Sequence, residues 1–212
     1  MDIRRLQFKR YRRFTWEVYI KELFQSWHKT LRRYEQAWGT SDLAYVYNEQ
    51  AQVGLLAIAA EKARGLPFIE FSAKRHQAKR DYSGRADLSI RRLAMNKKKE
   101  LWVEAEPVSV NYEDTVTDLA SRMRGPFNEA KKSVRSLAEA GWPRLALVFV
   151  KLIGASYASF DPESLKDRLC KATKQLNADF CAVHFCNPDL WPQSPHNDCP
   201  GIAAVGKVFS NL

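Results

Sequence analysis

No segment of the 212 residues approaches the roughly 18 consecutive apolar side chains that crossing a bilayer requires. The first residues, MDIRRLQFKRYRRF, are charged throughout and hold no apolar stretch of signal-peptide length. Both absences argue against a membrane span and a secretory leader, so a cytoplasmic protein without membrane partners is expected. Cysteine is sparse: Cys170, Cys181, Cys186 and Cys199 all lie in the last quarter, unlike the spread framework of a small disulfide-stapled domain. The chain also lacks a Gly-rich phosphate loop, a G-x-S-x-G turn and an H-E-x-x-H helix, so serine catalysis has no sequence support. Neither an internal repeat nor a low-complexity segment is present.

The chain does have the means to build a core. Its hydrophobic content is 45%, enough at this length for one domain with an added helical element. The formal charge of +10 is concentrated. Residues 1–40 carry ten Lys or Arg against four acids, residues 74–99 carry ten against two, and the remainder is mildly acidic. Two basic regions of this kind suit a polyanion, because neutralising phosphates releases counterions; the alternative is two solvated faces.

From Tyr11 to Trp38 the apolar residues recur near the helical period, which predicts a long basic amphipathic helix whose aromatic stripe packs. Gly39 is a stop, and Thr40, Ser41 or Asp42 a start, for a second helix from about Leu43 to Arg64. Three strand-like runs follow, PFIEFSA, GRADLSI and ELWVEAEPVSV, the last two joined through the basic segment 91–99 as a hairpin. A helix over 116–140, the buried strand RLALVFVKLI, a helix in DPESLKDRLCKATKQLN and the strands ADFCAVHFC and GIAAVGKVF complete the order. The expected fold class is α/β, a mixed central sheet flanked by helices. Residues 1–40 form its basic helical extension and 41–212 the domain.

Carboxylates within apolar runs are the chemical signal. Strand alternation puts Glu104 and Glu106 on one face and Val103 and Ala105 on the other, and sets Asp87 against Ala86 and Leu88. If the two strands pair, the three acids line one surface, where a hard divalent cation would relieve their repulsion. Glu49 lies on a helical stripe with Val53, Leu56 and Ala60, costly to bury unless paired, protonated or bound.

This arrangement resembles the PD-(D/E)xK nuclease superfamily. Asp87 in GRAD stands where that family has its second-strand acid, Glu104 in VEAE matches the first acid of the third strand, and Glu49 in YNEQ matches the helical acid. The resemblance covers roughly residues 43 to 209 and implies a restriction-endonuclease-like fold. It further implies Mg²⁺ or Mn²⁺ on Asp87 and Glu104, with Glu49 and Glu106 as further catalytic residues. The family's usual lysine is replaced by Glu106, an E-x-E version also found among active restriction endonucleases. An outside cation would then offset the charge, with Lys74, Lys97 and Lys131 as candidates. Arg10, Arg12, Arg13, Lys74, Arg75, Lys79, Arg80, Lys97, Lys98 and Lys99 are expected to grip a nucleic-acid backbone, DNA ahead of RNA. Three functions stay open: a metal-dependent phosphodiester hydrolase, an inactive nuclease-like module that binds nucleic acid or a partner protein, and a protein interaction scaffold formed through the aromatic N-terminal helix. An arginine already neutralising Asp87 and Glu104, or a separation of the two beyond a metal's reach, would overturn the first. The aromatic N-terminal helix could support a homodimer.

The late residues Cys181, His184, Cys186, His196 and Cys199 raise a zinc alternative, set against buried structural cysteines. Alternation in ADFCAVHFC sends Cys181 and His184 to opposite faces, which disfavours zinc. Trp191, in a polar proline-rich loop, is expected to cap the sheet.

Overall fold

In a computed structural model of the chain, residues 15–39, 43, 46–77, 80–92, 99–137, 142–154, 160–187 and 199–209 are described; at 15, 16, 74, 76, 77, 80–83 and 99 the description covers backbone alone. The element order is that expected: α1 (Thr15–Trp38), α2 (Glu49–Lys62), β1 (Gly65–Gln77), β2 (Arg80–Arg92), β3 (Lys99–Asn111), α3 (Val116–Ser136), β4 (Arg144–Ile153), α4 (Pro162–Gln175), β5 (Phe180–Phe185) and β6 (Gly201–Phe209). The strands form one mixed sheet in the order β1-β2-β3-β4-β6-β5. Only β3 and β4 run parallel, joined by the α3 crossover; the other neighbours are antiparallel.

Side chains sort by strand alternation onto two helical layers. Val103, Ala105, Leu145, Leu147 and Phe149 face α1 and α2, together with Tyr19, Leu23, Phe24, Trp27 and Leu31 of α1. The opposite set, Val110, Val148, Val150 and Leu152, packs on Leu119, Met123 and Phe127 of α3 and on Leu165 and Leu169 of α4. The aromatic stripe of α1 therefore packs as expected, and α1 shares one core with the sheet. Its ends are exposed at Val18 and Trp38, and Gly39 ends the helix at φ +65, a conformation that costs glycine little. No helix among the described residues is long and apolar enough to cross a membrane.

Two helix boundaries differ from expectation, and both differences shape the site. α2 starts at Glu49 rather than near Leu43, because the Asn48 side chain accepts the Ala51 N–H and caps the first turn. Glu49 is thus the first helical residue, partly exposed at the N-terminal end of the stripe in which Val53, Leu56 and Ala60 are buried. α3 stops at Ser136 instead of running to 140. Leu137 turns extended there and forms an isolated antiparallel bridge with Arg75 of β1.

Candidate active site

The site begins where β2 and β3 part. Their ladder runs from Arg92 opposite Lys99 to Leu88 opposite Val103 and stops one residue short of Asp87. The Asp87 carboxylate takes over from the ladder: its Oδ2 accepts the Ala105 N–H at 2.7 Å. At this residue β2 also turns over. Leu88 packs toward α1 and α2, whereas Ala86 packs with Trp102 and Leu137 on the α3 side. Asp87 therefore does not simply oppose both of its apolar neighbours, as regular alternation predicts.

Across from it, between the pairs Ile69 with Leu88 and Phe71 with Ala86, Glu70 of β1 has φ +49. A left-handed glutamate inside a strand is strained backbone, held in place by its surroundings. Glu70 Oε1 accepts from Gln50 Nε2 of α2 at 3.1 Å, and Oε2 pairs with Arg85 Nη1 at 3.2 Å. Glu70 is a site residue that the sequence reading passed over. Its signal was the one that marked Asp87, a lone carboxylate in the apolar run PFIEFSA.

The expected acids do gather here. Burial, then the Asp87 and Glu106 charges, pushes Glu49 up to about 7. Burial, then Asp87, also raises Glu104 to about 7, against the pull of Arg75. Asp87 itself is raised by burial, which outweighs the Ala105 N–H and Arg75. Glu106 is raised by burial, then by Asp87 and by Glu129 of α3. The Asp87 charge thus acts on Glu49 of α2 and on Glu104 and Glu106 of β3, while Asp87 itself feels Glu70 of β1.

One cation is already present. Arg75 Nη2 donates to Glu104 Oε1 at 2.7 Å, with the arginine side chain 11% and the glutamate side chain 7% exposed. Its Nη1 donates to the Ser133 carbonyl at 3.3 Å and to Ser136 Oγ at 3.0 Å, and Nη2 also reaches the Arg85 carbonyl. Arg75 was expected on an outer basic surface; the Leu137 bridge and the end of α3 hold it inward instead. The condition weighing against hydrolysis is thus met at Glu104. The Arg75 charge also lowers Asp87, so it acts on both members of the pair, although burial keeps Asp87 and Glu104 raised.

Lys131 lies over the Phe127 ring and feels Lys207 and Arg135, not the acids. Lys97 lies outside the described residues, as do Arg10, Arg12, Arg13, Lys79 and Lys98. Lys74, Arg80 and Lys99 sit on β1, β2 and β3, with only their backbone described.

Among the described residues no three His, Cys, Asp or Glu side chains stand close enough together to hold one ion. The acids therefore do not fit a cation stripped of water and caged by three side chains. Mg²⁺ commonly keeps several waters and rests on only one or two carboxylates. As for zinc, Cys181 packs on the α3 and α4 side, Cys186 and Cys199 on the other, and all three are buried. His184 is buried against α1, where Nε2 bonds Glu35 Oε1 at 2.7 Å and Nδ1 meets His28 Nδ1 at 2.9 Å. His196 and Trp191 lie outside the described residues. Comparison of the chain with protein-family models, with curated proteins and with solved structures gives no match.

Proposed function

We propose that this protein is a metal-dependent nuclease of restriction-endonuclease-like fold that hydrolyses nucleic-acid phosphodiesters, using Mg²⁺ or Mn²⁺. The observation that supports the reading is the placement of Asp87, bonded to the Ala105 N–H between Glu104 and Glu106, with Arg75 paired to Glu104; the Asp87 charge adds to burial in raising Glu49, Glu104 and Glu106. Carboxylates held this way destabilise the fold unless a cation relieves them, and such groups cluster at sites of chemistry. A divalent ion on Asp87 and Glu104 would supply Lewis-acid polarisation of the phosphodiester. The Ala105 N–H fixes Asp87 in orientation. Glu49, raised to about 7, can take a proton from an attacking water near neutral pH. Glu106 shares the charge of the group and orients the water. Arg75, freed from Glu104 when a cation takes its place, supplies the positive charge that the motif lysine would have brought to a phosphate.

A second reading rests on Arg75 itself. Its bonds to Glu104, Ser133 and Ser136 join β1, β3 and α3, which suits a nuclease-like module that binds nucleic acid or a partner protein without cutting it. Incubating labelled DNA and RNA with Mg²⁺ or Mn²⁺, beside Asp87→Ala, separates the two. Products formed by the parent and absent from the variant support hydrolysis. Metal-independent binding by both proteins, with no products, supports the module.

A further inference from the structure

On the face of the sheet that Glu104 shares, two strands further along, three cations stand near one another with no carboxylate partner among the described residues. Lys131 and Arg135 lie one turn apart on α3, on the flank away from Ser133 and Ser136. Lys207 of β6 lies in the register row that runs from Glu104 through Ala146. Ala146 packs against Ala130 and Val134, so this row faces α3.

The three side chains are positioned rather than loose. Lys131 Nζ stands 4.7 Å from the Phe127 ring centre and the Arg135 guanidinium carbon 5.4 Å from that of Phe209, while Lys207 Nζ donates to the Asn177 carbonyl at 2.7 Å. Their charges repel one another: burial, then Lys207 and Arg135, pulls the Lys131 ammonium below its usual range. Among the described residues no carboxylate pairs with any of them. Glu129 pairs with Lys132 and acts on Glu106, and Asp179 accepts the Val208 N–H. The dipole of α3 accounts for a cation in its last turn, but not for a lysine sent in from β6.

We infer that Lys131, Arg135 and Lys207 form a phosphate-binding site for the nucleic-acid backbone, placed so that a strand rounding the C-terminal end of α3 engages it beside the carboxylate site. The placement rests on the nucleic-acid reading above. Adjacent strands are about 4.8 Å apart, so Lys207 stands two strands, about 10 Å, from the Glu104 position. That is within a few nucleotides along a backbone carrying one charge per about 3.4 Å of rise. Contacts of this kind position a strand and read no sequence.

The test is binding of a fluorescent oligonucleotide by anisotropy across a salt series, in EDTA so that no cleavage intervenes. Lys131→Ala/Arg135→Ala/Lys207→Ala should weaken binding at least about tenfold and lower the log–log salt slope by about 2 to 3, one for each lost phosphate contact. The exposed substitution Arg135→Glu should weaken binding in the same direction, and it serves if the triple variant fails to fold. Unchanged affinity and slope in a folded variant overturn the inference. So does binding of the parent to phosphatidylserine vesicles but not to the oligonucleotide. If the triple variant loses binding while the parent cuts nothing in Mg²⁺ or Mn²⁺, the phosphate site stands and the hydrolase reading falls. If the parent cuts and the triple variant binds as the parent does, only the phosphate site falls.

Discussion

The Asp87 carboxylate stands in for a strand: its Oδ2 takes the Ala105 N–H at 2.7 Å just where the β2–β3 ladder ends. One oxygen thereby closes the sheet while the rest of the side chain belongs to an acidic cluster, so fold and site share a residue.

Asp87→Asn should expose that sharing. The amide keeps the shape and an acceptor oxygen, and removes the charge that raises Glu49, Glu104 and Glu106. Carboxyl NMR titration should show the Glu49 and Glu104 midpoints moving down from about 7 toward ordinary values. Unmoved midpoints would mean that the acids do not sense one another.

Stability should depend on pH and on divalent ions together. For Glu49 and Glu104 the folded pKa, about 7, lies above the reference 4.5, so the native state holds more protons than the unfolded chain between those values. Their contribution is therefore fully present below pH 4.5 and is lost as pH rises through 7. A bound divalent ion reverses the penalty. Mn²⁺ at a hundred times its dissociation constant adds about 2.7 kcal/mol, a shift of several degrees at this chain length. Differential scanning fluorimetry should record a larger increase at pH 8 than at pH 5.5, and none in Asp87→Ala. An equal increase in that variant would place the ion elsewhere.

Arg75→Ala removes the Glu104 ion pair together with the tie to Ser133 and Ser136. Glu104 can protonate, which limits the damage, so denaturant unfolding should show a loss of about 1–3 kcal/mol, smaller at pH 6 than at pH 8. Under the hydrolase reading Mn²⁺ recovers part of this loss, because a cation again faces Glu104. No recovery favours the binding module.

The pair His184 and Glu35 fastens α1 to β5. The acceptor at Glu35 assigns the proton to His184 Nε2, which leaves Nδ1 to accept from His28 Nδ1–H. Burial, then the neighbouring His184 and Arg32, lowers His28 to about 4. The unfolded chain thus binds the extra proton between pH 4 and 6.5, and the contribution of His28, full above 6.5, falls away as pH drops toward 4. His28→Ala should flatten that part of the stability profile. Glu35→Ala leaves a buried imidazole N–H without its acceptor and should cost about 1–3 kcal/mol. A profile for His28→Ala as steep as the parent's would remove His28 from the linkage.

Much of the fold was legible because it depends on local pattern. The run RLALVFVKLI gave β4 to the residue, and Asp161 before Pro162 gave the start of α4. Helix ends were less so. Asn48 displaced the start of α2 because its side chain captured the Ala51 N–H, and α3 stopped short because Leu137 found a partner in Arg75. In the site, Glu49, Asp87, Glu104 and Glu106 could be read as carboxylates set in or beside apolar runs. Glu70 carried the same signal, yet its importance comes from a left-handed backbone and from facing Asp87, neither of which composition encodes.

The sequence by itself determined the alternation that splits β3 into an apolar face and an acidic one, because side-chain direction in a strand has a period of two. Tertiary structure alone decided which cation meets those acids. Arg75 and Glu104 are 29 residues apart, and Arg75 reaches Glu104 from β1 because the chain leaves α3 at Leu137 and bridges back to that strand. Ion pairing falls off over a few ångströms, so the choice among thirty-four basic residues rests on where the backbone brings each one, which no local pattern records.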